Sequence, residues 1–112
     1  MTDCLFCKIA AGTIPVQRVA EDEHVLAFPD INPQAPTHVL LIPKQHVTSL
    51  AEVKDFEIIG KLHALAVKVA EQTGIAKGGY RTLFNTGFDA GQTVLHLHLH
   101  LLGGRAMQWP PG

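Results

Sequence analysis

Strict alternation over His96-Leu97-His98-Leu99-His100-Leu101 leaves this chain few choices. A period of two belongs to a β-strand with one polar and one apolar face, whereas a helix would spread the three histidines around most of its circumference. Residues i and i+2 lie roughly 6.5–7 Å apart along a strand, so the imidazoles become neighbours on one face. Leu97, Leu99 and Leu101 then need a core or a covering helix on the other. Three of the seven histidines stand on that single edge.

The rest of the chain has to supply the cover. At 112 residues it is long enough for one domain with a real core, spanning residues 1–112. A formal net charge of −1 offers no basic surplus for binding nucleic acid through its phosphates, although a single nucleotide needs only local donors. No run of eighteen apolar residues is present, so no membrane span is expected. Met1 to Lys8 lacks the basic start and apolar stretch of a signal peptide, which predicts a cytoplasmic protein. In that compartment Cys4 and Cys7 read as thiols or metal ligands rather than a disulfide.

Residues 3–11 read as a short helix with Asp3 as N-cap and Gly12 as the stop, with Leu5, Phe6 and Ile9 on one face. Val16–Ala20 and Val25–Phe28 read as strands joined through Glu21-Asp22-Glu23. Pro29–Pro36 reads as loop and Thr37–Ile42 as a strand ended by Pro43. Ser49 and Glu52 have the spacing of a capping box. Asp55–Thr73 is the long helix, with Phe56, Ile59, Leu62, Leu65, Ala66 and Val69 on its buried stripe and Gly74 at its end. Tyr80–Asn85 reads as a strand, and the glycine-containing loop Thr86–Thr93 leads directly into the histidine strand. Strands in runs with few helices predict an α+β fold, a mainly antiparallel sheet with one long helix.

A lone histidine on a strand is usually a satisfied polar residue; three in alternation fit a metal site or an acid–base constellation. The preceding loop favours the second. Gly87 and Gly91 allow backbone N–H groups to converge on an anion, with Thr93 and Asn85 as further donors. A phosphate held there suits a neutral imidazole attacking phosphorus, with its neighbours orienting it and supplying a proton to the leaving group. Backbone donors would stabilise the charge in flight.

With these residues in view, the chain resembles the histidine triad (HIT) family of nucleotide hydrolases and transferases. His-x-His-x-His followed by two apolar residues is similar to that family's signature. Phe28–His38 resembles the ribose- and base-binding segment of its Hint branch. Gly91-Gln92-Thr93-Val94 resembles the phosphate loop, with threonine where serine is commoner. The ending Gly103–Gly112, with Met107, Trp109, Pro110 and Pro111, resembles the Hint C-terminus and argues against the branches that cleave dinucleoside polyphosphates or transfer nucleotides to sugars.

The resemblance implies a HIT-like fold of about five strands that dimerises into one continuous sheet. It implies His98 as nucleophile within a tetrad completed by His38, His96 and His100, with His100 near the scissile and leaving atoms. Asp30 would bind the ribose hydroxyls, and Leu5, Phe6, Ile9, Phe28 and Ile31 would wall the base. Asn85, Gly91, Gln92, Thr93 and His100 would hold the α-phosphate. Trp109 would reach the partner's active site in a homodimer. The implied reaction is hydrolysis of purine nucleoside monophosphate derivatives, AMP or GMP adducts such as phosphoramidates, through a nucleotidyl-histidine intermediate. No metal is needed for that step.

Cys4-Leu-Phe-Cys7 supplies two of the four ligands of a tetrahedral zinc. By resemblance the others are His46 and His96, in a structural site that pins the N-terminal helix to the sheet. His24 and His63 have no comparable company and read as surface residues. Other readings remain open: a regulatory nucleotide-binding module with incidental hydrolysis, a dinucleoside polyphosphate hydrolase, or a metal-handling protein using the cysteines and all the triad histidines.

Overall fold

The computed structural model describes residues 3–112. A short helix, α1 (Leu5–Ala10), precedes strands β1 (Ala20–Glu21), β2 (Val25–Pro29) and β3 (Thr37–Pro43). A 3₁₀ turn (Leu50–Glu52), the long helix α2 (Glu57–Thr73) and strands β4 (Tyr80–Leu83) and β5 (Leu99–Gly103) complete the chain. The sheet has the order β1-β2-β3-β5-β4 with every neighbouring pair antiparallel, as the α+β reading expects.

Both faces of the sheet are covered, so its central strands are apolar on both sides. Val25, Ala27, Val39, Leu41, Leu97, Leu99 and Leu101 pack under Leu62, Leu65, Ala66 and Val69 of α2. Leu26, Phe28, Leu40 and Ile42 point the other way, against Phe6 and Ile9 of α1. The alternation of the leucines and histidines therefore does sort them between two faces. His38 and the triad histidines lie on the α1 side.

The strand limits differ from the sequence reading, and proline explains one of them. In the β3–β5 register Leu41 opposes Leu99, which would place Pro43 opposite Leu97. Pro43 has no N–H to donate. The ladder stops, and Leu97 N–H bonds instead to the Val47 carbonyl at 2.7 Å. His96 and His98 thus lie just upstream of β5, and only His100 of the triad is inside the strand. The expected strand Val16–Ala20 contracts to β1 for another reason: Ala27 pairs with Ala20, yet its carbonyl accepts the Val19 N–H at 2.9 Å, so the register slips by one residue there.

The helix starts also move. Cys4, not Asp3, caps α1: its Sγ accepts the Cys7 N–H at 3.3 Å. The Asp55 carboxylate accepts the Glu57 N–H at 3.0 Å, so α2 begins at Glu57 and Phe56 is left 59% exposed instead of joining the buried stripe. Gly74, at φ 86°, ends α2 as expected. Ser49 makes no side-chain cap, and the turn after it closes through the Ser49 carbonyl and Glu52 N–H at 3.1 Å. β4 ends at Leu83, two residues short of Asn85. Among the described residues no helix is long and apolar enough to cross a membrane.

Candidate active site and metal cluster

His98 is 8% exposed, and its Nδ1 lies 2.7 Å from the His96 carbonyl oxygen. A carbonyl only accepts, so the proton is assigned to Nδ1 and the Nε2 lone pair is free. Phe6 packs edge-on against the ring, with centroids 5.2 Å apart and planes at 90°. The ring's orientation is therefore set on one side by a main-chain carbonyl and on another by an aromatic edge.

A second hydrogen-bond chain fixes His100. Gln34 N–H donates to His38 Nδ1 at 3.0 Å, which puts the His38 proton on Nε2. That proton meets His100 Nδ1 at 2.9 Å, so His100 carries its own proton on Nε2. Among the described residues, His100 Nε2 is the one buried side-chain nitrogen or oxygen without a hydrogen-bond partner. A buried N–H left unpaired costs about 1–3 kcal/mol, a cost that a bound acceptor would remove. The His98 and His100 rings are 4.9 Å apart. Burial, reinforced by the neighbouring His98 and His38, pushes His100 down to about 4, so it is a neutral donor at ordinary pH. Burial also lowers His38, against the opposing pull of Asp30.

Asp30 accepts the Asn32 N–H through Oδ1 at 2.8 Å, and its Oδ2 lies 3.4 Å from His38 Nε2. The carboxylate thus sits beside the His38–His100 contact, at the same His38 nitrogen that faces His100. Of the residues expected to wall a base, Phe6, Ile9 and Phe28 are buried together, whereas Leu5 and Ile31 are 46% and 101% exposed. Trp109 is 82% exposed, not packed on its own domain.

The glycine loop is built differently from the expected anion cradle. Gly87 N–H donates to Gln92 Oε1 at 3.0 Å, Gly91 N–H to Phe88 O at 3.0 Å and Gln92 N–H to Gly87 O at 3.1 Å. Gln92 Nε2 donates to the Thr48 and Val94 carbonyls at 2.8 and 3.1 Å. These donors are spent inside the protein; Thr93 is exposed at the loop's end and Asn85 is half-buried. Gln92 is a clasp for the loop. Its side chain has no donor left for a phosphate.

Beside the histidines, Cys4, Cys7, His46 and His96 bring one ligand atom each to a common point, all within 4.8 Å of one another. His96 Nδ1 is 3.2 Å from Cys4 Sγ, 3.5 Å from Cys7 Sγ and 3.2 Å from His46 Nδ1, and Cys7 Sγ is 3.3 Å from His46 Nδ1. Zinc bonds of about 2.0–2.3 Å give tetrahedral edges of about 3.3–3.8 Å, so the donor set fits a structural Cys₂His₂ zinc. His96 Nε2 donates to the Pro43 carbonyl at 2.9 Å, which leaves the Nδ1 lone pair aimed into the cluster. His46 also lines a cleft of mixed charge, with Lys44, Lys54 and Lys61 beside Glu23, Glu52, Asp55 and Glu57.

His96 is therefore not a free imidazole beside His98. Both its nitrogens are engaged elsewhere, and what it offers His98 is its carbonyl. Nothing in the sequence points to the Pro43 and Val47 carbonyls or to the Gln34 N–H. Main-chain groups carry no residue signature. His63, expected at the surface, is half-buried, with Nδ1 2.9 Å from the Ile59 carbonyl and its ring against Phe84. His24 is exposed, as expected.

The profile of the HIT domain matches residues 11–107. The chain belongs to the HIT family. It is 48% identical to an uncharacterised HIT-like protein of Synechococcus elongatus, over 98% of this chain and 97% of the relative. Identity to a 14 kDa zinc-binding protein of Zea mays is 52%, covering 96% of this chain and 87% of that one. Among solved structures, a HIT family hydrolase from Legionella pneumophila superposes with a TM-score of 0.95 at 52% identity, covering 98% of this chain and all of the other. A histidine triad protein from Clostridium difficile does so at 0.94 and 44%, over 96% of each chain. The HIT fold thus accounts for the five-stranded sheet and the single long helix.

Proposed function

We propose that this HIT protein is a nucleotide hydrolase of the phosphoramidase type, cleaving purine nucleoside monophosphate derivatives at the α-phosphate. The observation that carries the reading is the pairing of a free His98 Nε2 lone pair with the unpartnered, buried Nε2–H of neighbouring His100. One is a nucleophile held in the correct tautomer. The other is a donor waiting for an anionic acceptor.

In the first step His98 Nε2 forms a bond to phosphorus as the bond from phosphorus to the leaving nitrogen breaks, and that nitrogen takes up one proton from solvent water. In the second, water attacks phosphorus, the bond to Nε2 breaks, and one proton is released with the nucleotide. The proton balance closes over the cycle. His98 keeps its Nδ1–H on the His96 carbonyl throughout, which spreads the positive charge that develops on the ring. His100 Nε2–H bonds to a phosphoryl oxygen and stabilises its growing charge. Asp30 receives the ribose hydroxyls, and Phe6, Ile9, Phe28, Leu5 and Ile31 border the base. Thr93, Asn85 and the backbone at Gly91 and Gln92 flank the phosphate.

Cys4, Cys7, His46 and His96 would hold zinc, which supplies a cross-link between α1 and the sheet and takes no part in bond breaking. The Zea mays relative's name agrees with a zinc site in this family. A relative of known structure from Candida albicans is called a histidine triad nucleotide-binding protein, which agrees with the substrate class. We propose a homodimer as the active form: among the described residues the outer edge of β4 pairs with no strand, and the exposed Trp109 belongs to a tail that runs beside it through the Arg81–Gln108 contact.

The decisive experiment is intact-mass spectrometry after a brief acid-free quench with an adenosine phosphoramidate, wild type beside His98→Ala. A transient adenylate adduct on the wild type alone is the expected result. No adduct and no AMP over hours would replace the hydrolase by a nucleotide-binding module.

A further inference from the structure

One residue joins the metal cluster to the reacting group. His96 sends its imidazole into the cluster and its main-chain carbonyl to His98 Nδ1 at 2.7 Å. The segment that bears both lies outside the sheet ladder, because β5 begins only at Leu99. What ties it down is the Leu97–Val47 bond, the burial of Leu97 and the anchoring of the His96 ring between Pro43 and the cluster.

A second path runs through α1. Cys4 and Cys7 bracket Phe6, whose ring meets His98 at 5.2 Å and His96 at 5.9 Å. A helix of six residues has no stability of its own in water. Its hold on the sheet comes from Phe6, Ile9 and the two thiols that reach His46 and His96.

We propose that a zinc ion on Cys4, Cys7, His46 and His96 is a positioning element for His98, not merely a brace for the fold. It fixes the carbonyl that selects the His98 tautomer and presses Phe6 against the ring. Cys4, Cys7 and His46 are then positioning residues that never approach the substrate. The inference rests on His98 as nucleophile and goes further, in that the state of the metal sets how often His98 presents a free Nε2.

The test uses the full chain, purified without chelator or polyhistidine tag. Four quantities are measured with zinc, after chelation and after zinc is returned: metal content, the His98 tautomer from long-range proton–nitrogen spectra, the rate of adenylate transfer to His98 in a single turnover, and AMP affinity. Zinc removal is expected to convert His98 from the Nδ1–H form to a mixture and to slow transfer about 10- to 100-fold, a larger loss than that in AMP affinity, which falls only as far as α1 loosens Phe6 and Ile9. Returned zinc restores both. In Cys4→Ser/Cys7→Ser the loss persists whatever zinc is added. If that variant fails to fold, His46→Ala, which leaves three ligands and both α1 thiols, is expected to show a smaller shift in the same direction.

A folded metal-free chain with unchanged tautomer and transfer rate overturns the proposal, as does a wild type that holds no zinc. If the zinc-loaded wild type forms no adduct while its His98 tautomer still follows the metal, the hydrolase reading has failed and the coupling stands.

Discussion

His38 Nε2 lies 2.9 Å from His100 Nδ1, and this contact decides which nitrogen of His100 is a donor. The order of protons is imposed from outside the pair by Gln34, whose N–H occupies His38 Nδ1. His38→Ala leaves His100 Nδ1 without its donor, so the ring can carry its proton on either nitrogen. Losing that bond costs about 1–2 kcal/mol, which is roughly 10-fold in the transfer step. Single-turnover kinetics with an adenosine phosphoramidate check the size, and an unchanged rate would remove His38 from the relay.

His100 itself is expected to matter more. Removing a preorganised donor to a developing oxyanion costs about 10²–10³-fold. His100→Ala should therefore lose that much in kcat with the adduct still forming on His98. His98→Ala forms no adduct at all. The two variants separate donor from nucleophile by mass spectrometry alone.

Acid should weaken the fold through the same pair. His100 has a folded value near 4 against an ordinary 6.5, caused chiefly by burial, and His38 is lowered for the same reason. Below about pH 6.5 the unfolded chain takes up protons that the folded one refuses, so stability falls as pH drops from there toward 4. Above 6.5 both states are neutral at these positions and the dependence disappears. Urea midpoints between pH 4 and 8 test the direction. In His100→Gln the slope should be shallower. Because His100 stays neutral to about 4, it does not supply an acid limb of turnover near neutrality.

Much of this was legible because alternation constrains a chain so tightly. Leu97, Leu99 and Leu101 had to face a core, and the periodic apolar residues of α2 had to provide it. Cys4 and Cys7 announced half a metal site, and their partners came only with the family resemblance. The failures share a physical cause. Strand ends depend on register, which placed Pro43 where a donor was required and slips by one residue at Val19. Helix ends depend on which side chain reaches a free N–H first, and Cys4 and Asp55 did so. The Gly87–Gln92 loop offered an anion nest in composition, yet Gln92 closes it from within. A side chain that satisfies its own loop cannot be told, in sequence, from one that awaits a ligand.

Gln92 is consequently expected to act through the loop. Its amide makes three hydrogen bonds, to Gly87 N–H and to the Thr48 and Val94 carbonyls. Gln92→Ala should cost about 1–3 kcal/mol, since each net bond contributes about 0.5–1.5 and partly buried partners are left behind. Amide exchange should quicken across residues 87–94 before it does so in β3. An unaltered exchange pattern with weakened AMP binding would instead make Gln92 a direct phosphate ligand.

Gly103 ends β5 opposite Thr37 and Tyr80, at the point where Ile75 crosses the sheet on leaving α2. A methyl group built on Gly103 would come within 2.7 Å of Ile75 Cβ and Cδ1 and 2.9 Å of Cγ2. Contacts that close to a β-carbon cannot be relieved by turning the end of a side chain, so the main chain of one element must shift. Ile75 is buried at 7% exposure and has nowhere to retreat. Overpacking of this kind costs about 1–3 kcal/mol. Gly103→Ala should lower Tm by several degrees, and pairing it with Ile75→Val, which removes one of the three clashing carbons, should recover part of the loss. Additive destabilisation in the double variant would show that the two side chains do not meet.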